Sequence, residues 1–260
     1  MEVKGKVIIV TGAASGIGRG LCQRFAREGA KAIVAADVNE AGAKVVADEV
    51  KGEAVLCDVR KEDDIIRLAK FTEEKYGRID LFCSNAGIGI MGGYEVDNAG
   101  WQRIWEINVL AHVFAARAVL PGMIARGGGA FLITASAAGL LSQIGSLPHS
   151  VTKHAAVGLA ESLSITYGDQ GIQVFALCPQ AVDTEMTRQG GGVAAVDGMM
   201  KPEELADAVM ESFAADEFLI LPHKEVKTYM QRKTTDYTRW LQGMRKLQER
   251  FVSGGPLKKS

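Results

Sequence analysis

The sequence is short of what would mark a nucleic-acid binder, a disulfide scaffold or a metalloprotein. Lys and Arg total 30 against 31 Asp and Glu, a net charge of -1, so no electrostatic excess favours nucleic acid or an anionic membrane as a partner. The four cysteines, Cys22, Cys57, Cys83 and Cys178, have no C-x-x-C spacing, and three of them read as lying in apolar, strand-like runs. They are expected to be reduced core thiols of a cytoplasmic protein. His112, His154 and His223 lack metal-ligand spacing and are assigned structural or solvent roles, with no metal expected. The longest apolar stretch, near residues 104–120, is broken by Glu106, Asn108, His112 and Arg117, and Met1 to Lys4 lead straight into a strand. Neither a membrane span nor a signal peptide is expected. There is no internal repeat and no low-complexity tract. A small-molecule substrate is the default that remains.

What is present is a large apolar fraction in regular order. With 47% hydrophobic residues in 260, the chain can bury a sizeable core as one α/β domain. Lys6 to Val10 reads as a buried strand, residues 16–29 as a helix and residues 31–36 as the next strand. The rhythm continues with a helix at 41–50, a strand at 54–57, a helix at 62–76 and a strand at 79–83. A long helix at 100–123, a strand at 130–134, a helix at 148–167 and a strand at 172–177 follow. Such alternation predicts an α/β fold with a single doubly wound, Rossmann-like parallel sheet. After Pro179 the periodicity lapses, and residues 185–200, with Gly190-Gly191-Gly192 and Met199-Met200, read as a mobile flap. A helix at 202–213 and a short strand at 218–221 complete a domain spanning residues 1–222. Beyond it, residues 224–251 space Val226, Met230, Tyr237, Trp240, Leu241, Met244, Leu247 and Phe251 as one amphipathic helix, packed on its own or a sister subunit. Residues 253–260 are expected to fray.

The turn after the first strand reads Thr11-Gly12-Ala13-Ala14-Ser15-Gly16-Ile17-Gly18. Glycines there let the backbone turn sharply and approach a ligand without a Cβ between, while the helix N-terminus offers amides and a positive dipole end to a pyrophosphate. Asp37 ends the second strand, where an acidic residue takes the ribose hydroxyls of NAD and repels the extra phosphate of NADP. Alone, the turn could be an ordinary βα connection and Asp37 a helix cap; together they point to a dinucleotide.

These residues, with Asp58-Val59, Asn85-Ala86-Gly87, Asn108-Val109, Ser136 and Lys153 in order, resemble the short-chain dehydrogenase/reductase family over residues 1 to about 222. The resemblance implies an oxidoreductase that interconverts an alcohol and a carbonyl compound with NAD as cofactor. The nucleotide would be held by Gly12, Ser15, Gly16, Ile17, Gly18 and Asp37, its adenine by Asp58 and Val59, and the cofactor would be covered by Asn85, Ala86 and Gly87. Val182 and Thr184 would hold the nicotinamide carboxamide and Lys153 the ribose. A homodimer or homotetramer packed through the helices near 100–123 and 148–167 is also implied. The chain departs from the family pattern at Ser84, where a second asparagine is frequent, and at Gln180, where a glycine follows the proline.

The family's catalytic group is serine, tyrosine and lysine with a supporting asparagine, and it carries over to Ser136, Lys153 and Asn108. Ser136 would hold the substrate oxygen and Asn108 a proton-relaying water. The tyrosine position, four before Lys153, holds His149, one helical turn away on the same face. A histidine titrates near pH 6.5 where a tyrosine needs pH 10, and the neighbouring lysine and an oxidised nicotinamide should keep the ring neutral and able to accept a proton from an alcohol. An imidazole also ends roughly 2 Å nearer the backbone than a phenol, and a misplacement of about 1 Å costs on the order of 10²-fold in rate. Three readings stay open: His149 is a working acid/base, it marks an NAD(H)-binding sensor or scaffold with weak or no turnover, or it is a bland surface or core histidine or a variant introduced at a normally tyrosine position. Met91, Leu141, Ile144 and Met186 are candidate walls of an apolar substrate pocket.

Overall fold

The structure, a computed structural model, describes residues 1–187 and 192–252. Residues 188–191 of the expected flap and the expected frayed end at 253–260 lie outside the described residues. The strands are β1 (Val7–Thr11), β2 (Ala32–Asp37), β3 (Glu53–Leu56), β4 (Leu81–Ser84), β5 (Gly129–Thr134), β6 (Ile172–Leu177) and β7 (Leu219–Ile220). All pair in parallel, in the order β3-β2-β1-β4-β5-β6-β7. Both faces of this sheet are buried, because side chains alternate along each strand and both alternating sets are apolar. Ile8, Val10, Leu81, Leu132 and Phe175 enter one core layer, whereas Ile9, Phe82, Phe131, Ile133 and Val174 enter the other.

The first layer is closed by α1 (Gly16–Arg27), α2 (Glu40–Val50) and α8 (Pro202–Ala215), through Leu21, Phe25, Val46, Leu205, Val209 and Phe213. The second is closed by α3 (Glu62–Tyr76), α5 (Ala111–Ala125) and α7 (Leu147–Tyr167), through Ile65, Leu68, Ala115, Val119, Ala156 and Ala160. The chain leaves β1 toward β2 on one side and places β4 on the other, so a crevice opens beyond the carboxyl ends of β1 and β4, where doubly wound sheets bind ligands.

Four features depart from the sequence expectations. The long helix at 100–123 is α4 (Asn98–Trp105) and α5 joined by a π-helical turn, Glu106–Leu110, that carries Asn108. Over Asn98–Ala125 this run is the one helix among the described residues apolar and long enough to cross a membrane; 56% of its apolar window is buried inside the fold, which accounts for the apolarity. A short helix, α6 (Ala138–Leu141), follows Ser136, too brief to show as periodicity. The C-terminal helix is two, α9 (Glu225–Thr235) and α10 (Tyr237–Val252). Asp236 breaks it: its backbone is extended, at φ -147° and ψ 91°, and Oδ1 accepts from Arg239 N at 2.9 Å, the N-cap exchange that lets aspartate start a helix at the expense of continuing one. Finally, only Cys83 lies in a strand, with Cys22 in α1 and Cys57 and Cys178 just past β3 and β6; all four are buried free thiols.

Candidate active site

The turn from β1 into α1 is shaped by bare backbone. Gly12 and Gly16 have φ of +66° and +52°, and a Cβ on Gly18 would stand 2.1 Å from Gly12 O, so only glycine closes this turn. Ser15, at the N-cap of α1, makes no side-chain cap bond, and the first turn has no acidic residue. The leading amides of α1 are therefore left for an anion, which is the fit a dinucleotide pyrophosphate requires. Asp37 braces the same turn, Oδ2 accepting from Ala14 N at 3.0 Å and Oδ1 from Asn39 N at 2.8 Å. Asn85 donates from Nδ2 to Thr11 O at 3.0 Å and accepts from Thr134 Oγ1 at 2.9 Å, tying the ends of β1, β4 and β5 together. Thr184 lies over Gly16, where a Cβ would meet its Cγ2 at 2.9 Å, and Val182 is buried in the core beneath. Asp58 is paired with Arg60 at 2.6 Å, which holds its carboxyl below the usual range, beside the buried Val59.

Lys153 and His149 emerge from the first turns of α7. Lys153 is buried and its Nζ donates to Thr134 O at 2.7 Å; burial lowers the ammonium to about 8. A Cβ on Gly87 would stand 3.3 Å from Lys153 Nζ and 3.4 Å from Asn108 Oδ1, so the β4 turn, the π-helical turn and α7 meet at that glycine. The loop bearing Ser136 is held against α7 by Gly139, whose missing Cβ would lie 2.4 Å from Lys153 O. Ser136 itself is half-buried, with Oγ accepting from Ala138 N at 3.1 Å.

The histidine is oriented by a backbone carbonyl. His149 Nδ1 lies 3.3 Å from Ile88 O, and a carbonyl can only accept, so in the neutral ring the hydrogen belongs on Nδ1 and the lone pair on Nε2. Ile88 is fixed in turn by Asn108, whose Oδ1 accepts from Ile88 N and whose Nδ2 donates to Ile88 O, both at 2.9 Å. The second Nδ2 hydrogen goes to Thr152 Oγ1 at 3.2 Å, and Thr152 Oγ1 donates back to Pro148 O at 2.8 Å, closing the network on the N-terminus of α7. Burial first, and the charge of Lys153 second, lower His149 to about 4. The ring is neutral near pH 7, as the neighbouring lysine predicts, although burial is the larger cause.

Sequence reasoning missed the parts played by Ile88, Thr134 and Thr152, because two act through backbone carbonyls and none belongs to a motif. It also missed the partner of Ser84, whose Oγ lies 2.6 Å from His112 Nδ1 in the interior. His112 is fully buried and held near 3 by desolvation, then by Lys153. Gln180 lines the cavity that opens beside Ser136, with Nε2 donating to Asp197 Oδ2 at 3.1 Å and Oε1 buried without a partner among the described residues.

From Ser136 a cavity of about 820 Å³ runs outward beneath α9 and α10. Of the expected wall residues only Leu141 lines it; Met91 and Met186 are mostly exposed and Ile144 lies outside the lining. The reason is that α10 folds back across the mouth and supplies Trp240, Met244 and Leu247 instead. The expected flap is not free at its described ends: Ala181 N bonds Ala194 O at 3.1 Å and Asp183 N bonds Met200 O at 2.9 Å.

Comparison with known proteins matches residues 6–191 to the short chain dehydrogenase family. The chain belongs to that family. It is similar to 1-deoxy-11-beta-hydroxypentalenate dehydrogenase of Streptomyces exfoliatus, at 34% identity over 92% of this chain and 90% of that one. It also resembles meso-2,3-butanediol dehydrogenase of Serratia marcescens, at 31% identity over 84% and 90%. A short chain dehydrogenase/reductase of Burkholderia phymatum, solved in complex with NAD, shares the fold at a TM-score of 0.82 and 25% identity, covering 100% of this chain and 99% of that one. The short-chain dehydrogenase frame is thus complete in sheet order, glycine turn and lysine helix, and its members interconvert alcohols and carbonyl compounds.

Proposed function

We propose that the protein oxidises a secondary alcohol with NAD⁺, using His149 as the proton acceptor. The observation that carries this is the Nδ1 contact with Ile88 O, which leaves Nε2 as the basic nitrogen of a ring already held neutral. NAD would sit on Gly12, Ser15, Gly16, Ile17 and Gly18, with Asp37 at the ribose, Asp58 and Val59 at the adenine, and Val182 and Thr184 at the nicotinamide; the solved relative from Burkholderia binds NAD. Asp37 disfavours the additional phosphate of NADP. Bound there, the oxidised nicotinamide supplies the hydride acceptor.

The protein's own groups handle the proton. Ser136 holds the substrate oxygen, and His149 Nε2 takes the hydroxyl proton as the carbinol hydrogen departs. The Ile88 carbonyl supports the imidazolium through Nδ1–H, while the adjacent Lys153 cation disfavours it, so the proton is passed on rather than kept. A relay water at the Asn108 side chain would have to use the remaining lone pair of Oδ1, since both Nδ2 hydrogens are taken. Exposed apolar side chains on α4 and α7, Trp105, Val151 and Ile165, support a homo-oligomer.

The test is a fluorescence titration of NADH followed by a panel of secondary alcohols with NAD⁺. The unaltered protein should turn over, and His149→Phe should lose on the order of 10²-fold or more in kcat/KM while binding NADH comparably. Cofactor binding without turnover, with activity appearing only in His149→Tyr, refutes the assignment of His149.

A further inference from the structure

The cavity beside Ser136 has an unusual outer wall. Its lining carries Arg232, Arg239, Lys246 and Arg250 against one acid, Asp236, although the chain as a whole is close to neutral. The imbalance is local: residues 225–252 hold seven Lys and Arg and three Asp and Glu. Asp236 is already engaged in capping α10 through Arg239 N, and neither Arg239 nor Lys246 forms an ion pair among the described residues.

A second observation points the same way. Gly243 lies in the middle of α10 and lines the cavity, and a Cβ there would meet nothing within 4 Å. Glycine is the poorest helix former after proline, and no packing within this fold requires it here. Arg239 precedes it by four residues and Lys246 follows by three, so the three positions share one face, with the bare backbone between the two cations. The lining also has apolar members, Leu141, Val193, Trp240, Met244 and Leu247, beside the neutral polar Ser142, Gln143 and Gln180.

We propose that this cavity takes an elongated, largely apolar alcohol or ketone bearing a carboxylate at its far end, received over Gly243 by Arg239 and Lys246. The proposal rests on the oxidoreductase reading of the site: the reacting carbon lies at Ser136, and the remote anion sets orientation and specificity. The body of the substrate loses water against the apolar wall, while its charge stays at the mouth, where charge-assisted hydrogen bonds reach it without burying an unpaired ion.

The test compares medium-chain (ω-1)-hydroxy fatty acids, their methyl esters and the parent 2-alkanols. Binding to the NADH-loaded protein is measured by calorimetry and turnover is followed with NAD⁺. The acid should bind about tenfold tighter than its ester, the size of one charge-assisted contact, and the preference should shrink with added salt. In Arg239→Gln/Lys246→Gln the acid-to-ester ratio should fall to near one. Arg245→Gln, a cation of α10 outside the lining, should keep the ratio, and Gly243→Leu should weaken acid and ester together. Equal binding of acid and ester, failure of the whole series to bind, or the same loss of preference in Arg245→Gln overturns the proposal. Turnover of 2-alkanols without acid preference would refute this inference and leave the oxidoreductase reading standing; tight acid binding without any turnover would do the reverse.

Discussion

If His149 is the proton acceptor, its burial decides which direction of the reaction carries the pH dependence. Alcohol oxidation releases one proton overall, so the ratio of oxidation to reduction efficiency must rise tenfold per pH unit whatever the enzyme does. The protein decides only which limb bends. With the ring held at about 4 by burial and by Lys153, His149 is already deprotonated from pH 5 upward. Oxidation kcat/KM should therefore be flat between pH 5 and about 7.5, while reduction falls roughly tenfold per unit, because only about 10⁻³ of the ring is protonated at pH 7. The window closes near 8, where Lys153 begins to lose the charge that opposes the imidazolium. In His149→Tyr the pattern should invert, since a phenol with a pKa near 10 is protonated throughout: oxidation climbs with pH and reduction is flat. Initial rates in both directions at saturating cofactor, in both proteins, measure this. An oxidation limb that climbs with unit slope between pH 5 and 7 in the unaltered protein would show that the exchanging group has a pKa above 7, and the assignment of His149 would fall.

Two further outcomes follow from the same interior. Asn108→Ala leaves Ile88 N without its acceptor and removes one of the donors to Ile88 O and to Thr152 Oγ1, which should cost about 2–3 kcal/mol, read as a drop in Tm; oxidation kcat should fall with NADH affinity kept, because the bracing of the Ile88 carbonyl is weakened. His112 and His149 both have folded pKa values depressed below the ordinary histidine value, to about 3 and about 4, so their stability contribution is full above pH 6.5 and is lost as pH falls toward those values. Between pH 7 and 4.5 each ring should cost about 2–3 kcal/mol in urea unfolding, and an unchanged midpoint across that range would contradict the buried, neutral state of both.

Most of the fold was legible in the sequence because both sheet faces are buried and the strands are consequently near-continuous apolar runs, separated by helices with clear period. The match is closest where a helix boundary carries a chemical signal: residues 62–76 begin with three acids and end at Gly77, and the helix has those limits. It fails where a polar side chain overrides periodicity, as at Asp236, where an N-cap bond splits an otherwise amphipathic run. The glycine turn, Asp37 and Lys153 were readable because each answers a local backbone or charge requirement. Ile88 and Thr134 were not, since a carbonyl that orients a side chain 61 or 19 residues away leaves no mark on residue type. The cavity was misplaced for a related reason: its outer wall is α10, and which face of an amphipathic helix covers a site is settled by docking rather than by spacing.

The network around Ile88 also changes what a histidine at position 149 means. A phenol has one polar atom, which must meet substrate and lysine-side partners alike. An imidazole can divide these tasks: Nδ1 is anchored on the Ile88 carbonyl, and in the proposed role Nε2 would meet the substrate. The anchor fixes the ring plane that a shorter side chain would otherwise leave free, so in the proposed role the cost of lost reach would fall on where the substrate oxygen sits rather than on the order of the base. Burial then determines the base's character. Because desolvation outweighs the charge of Lys153 in lowering the ring, neutralising that lysine while retaining the packing would raise His149 only partly. The neutral state of the ring is thus set by its burial at the start of α7 against the Ile88 turn, and the lysine reinforces it.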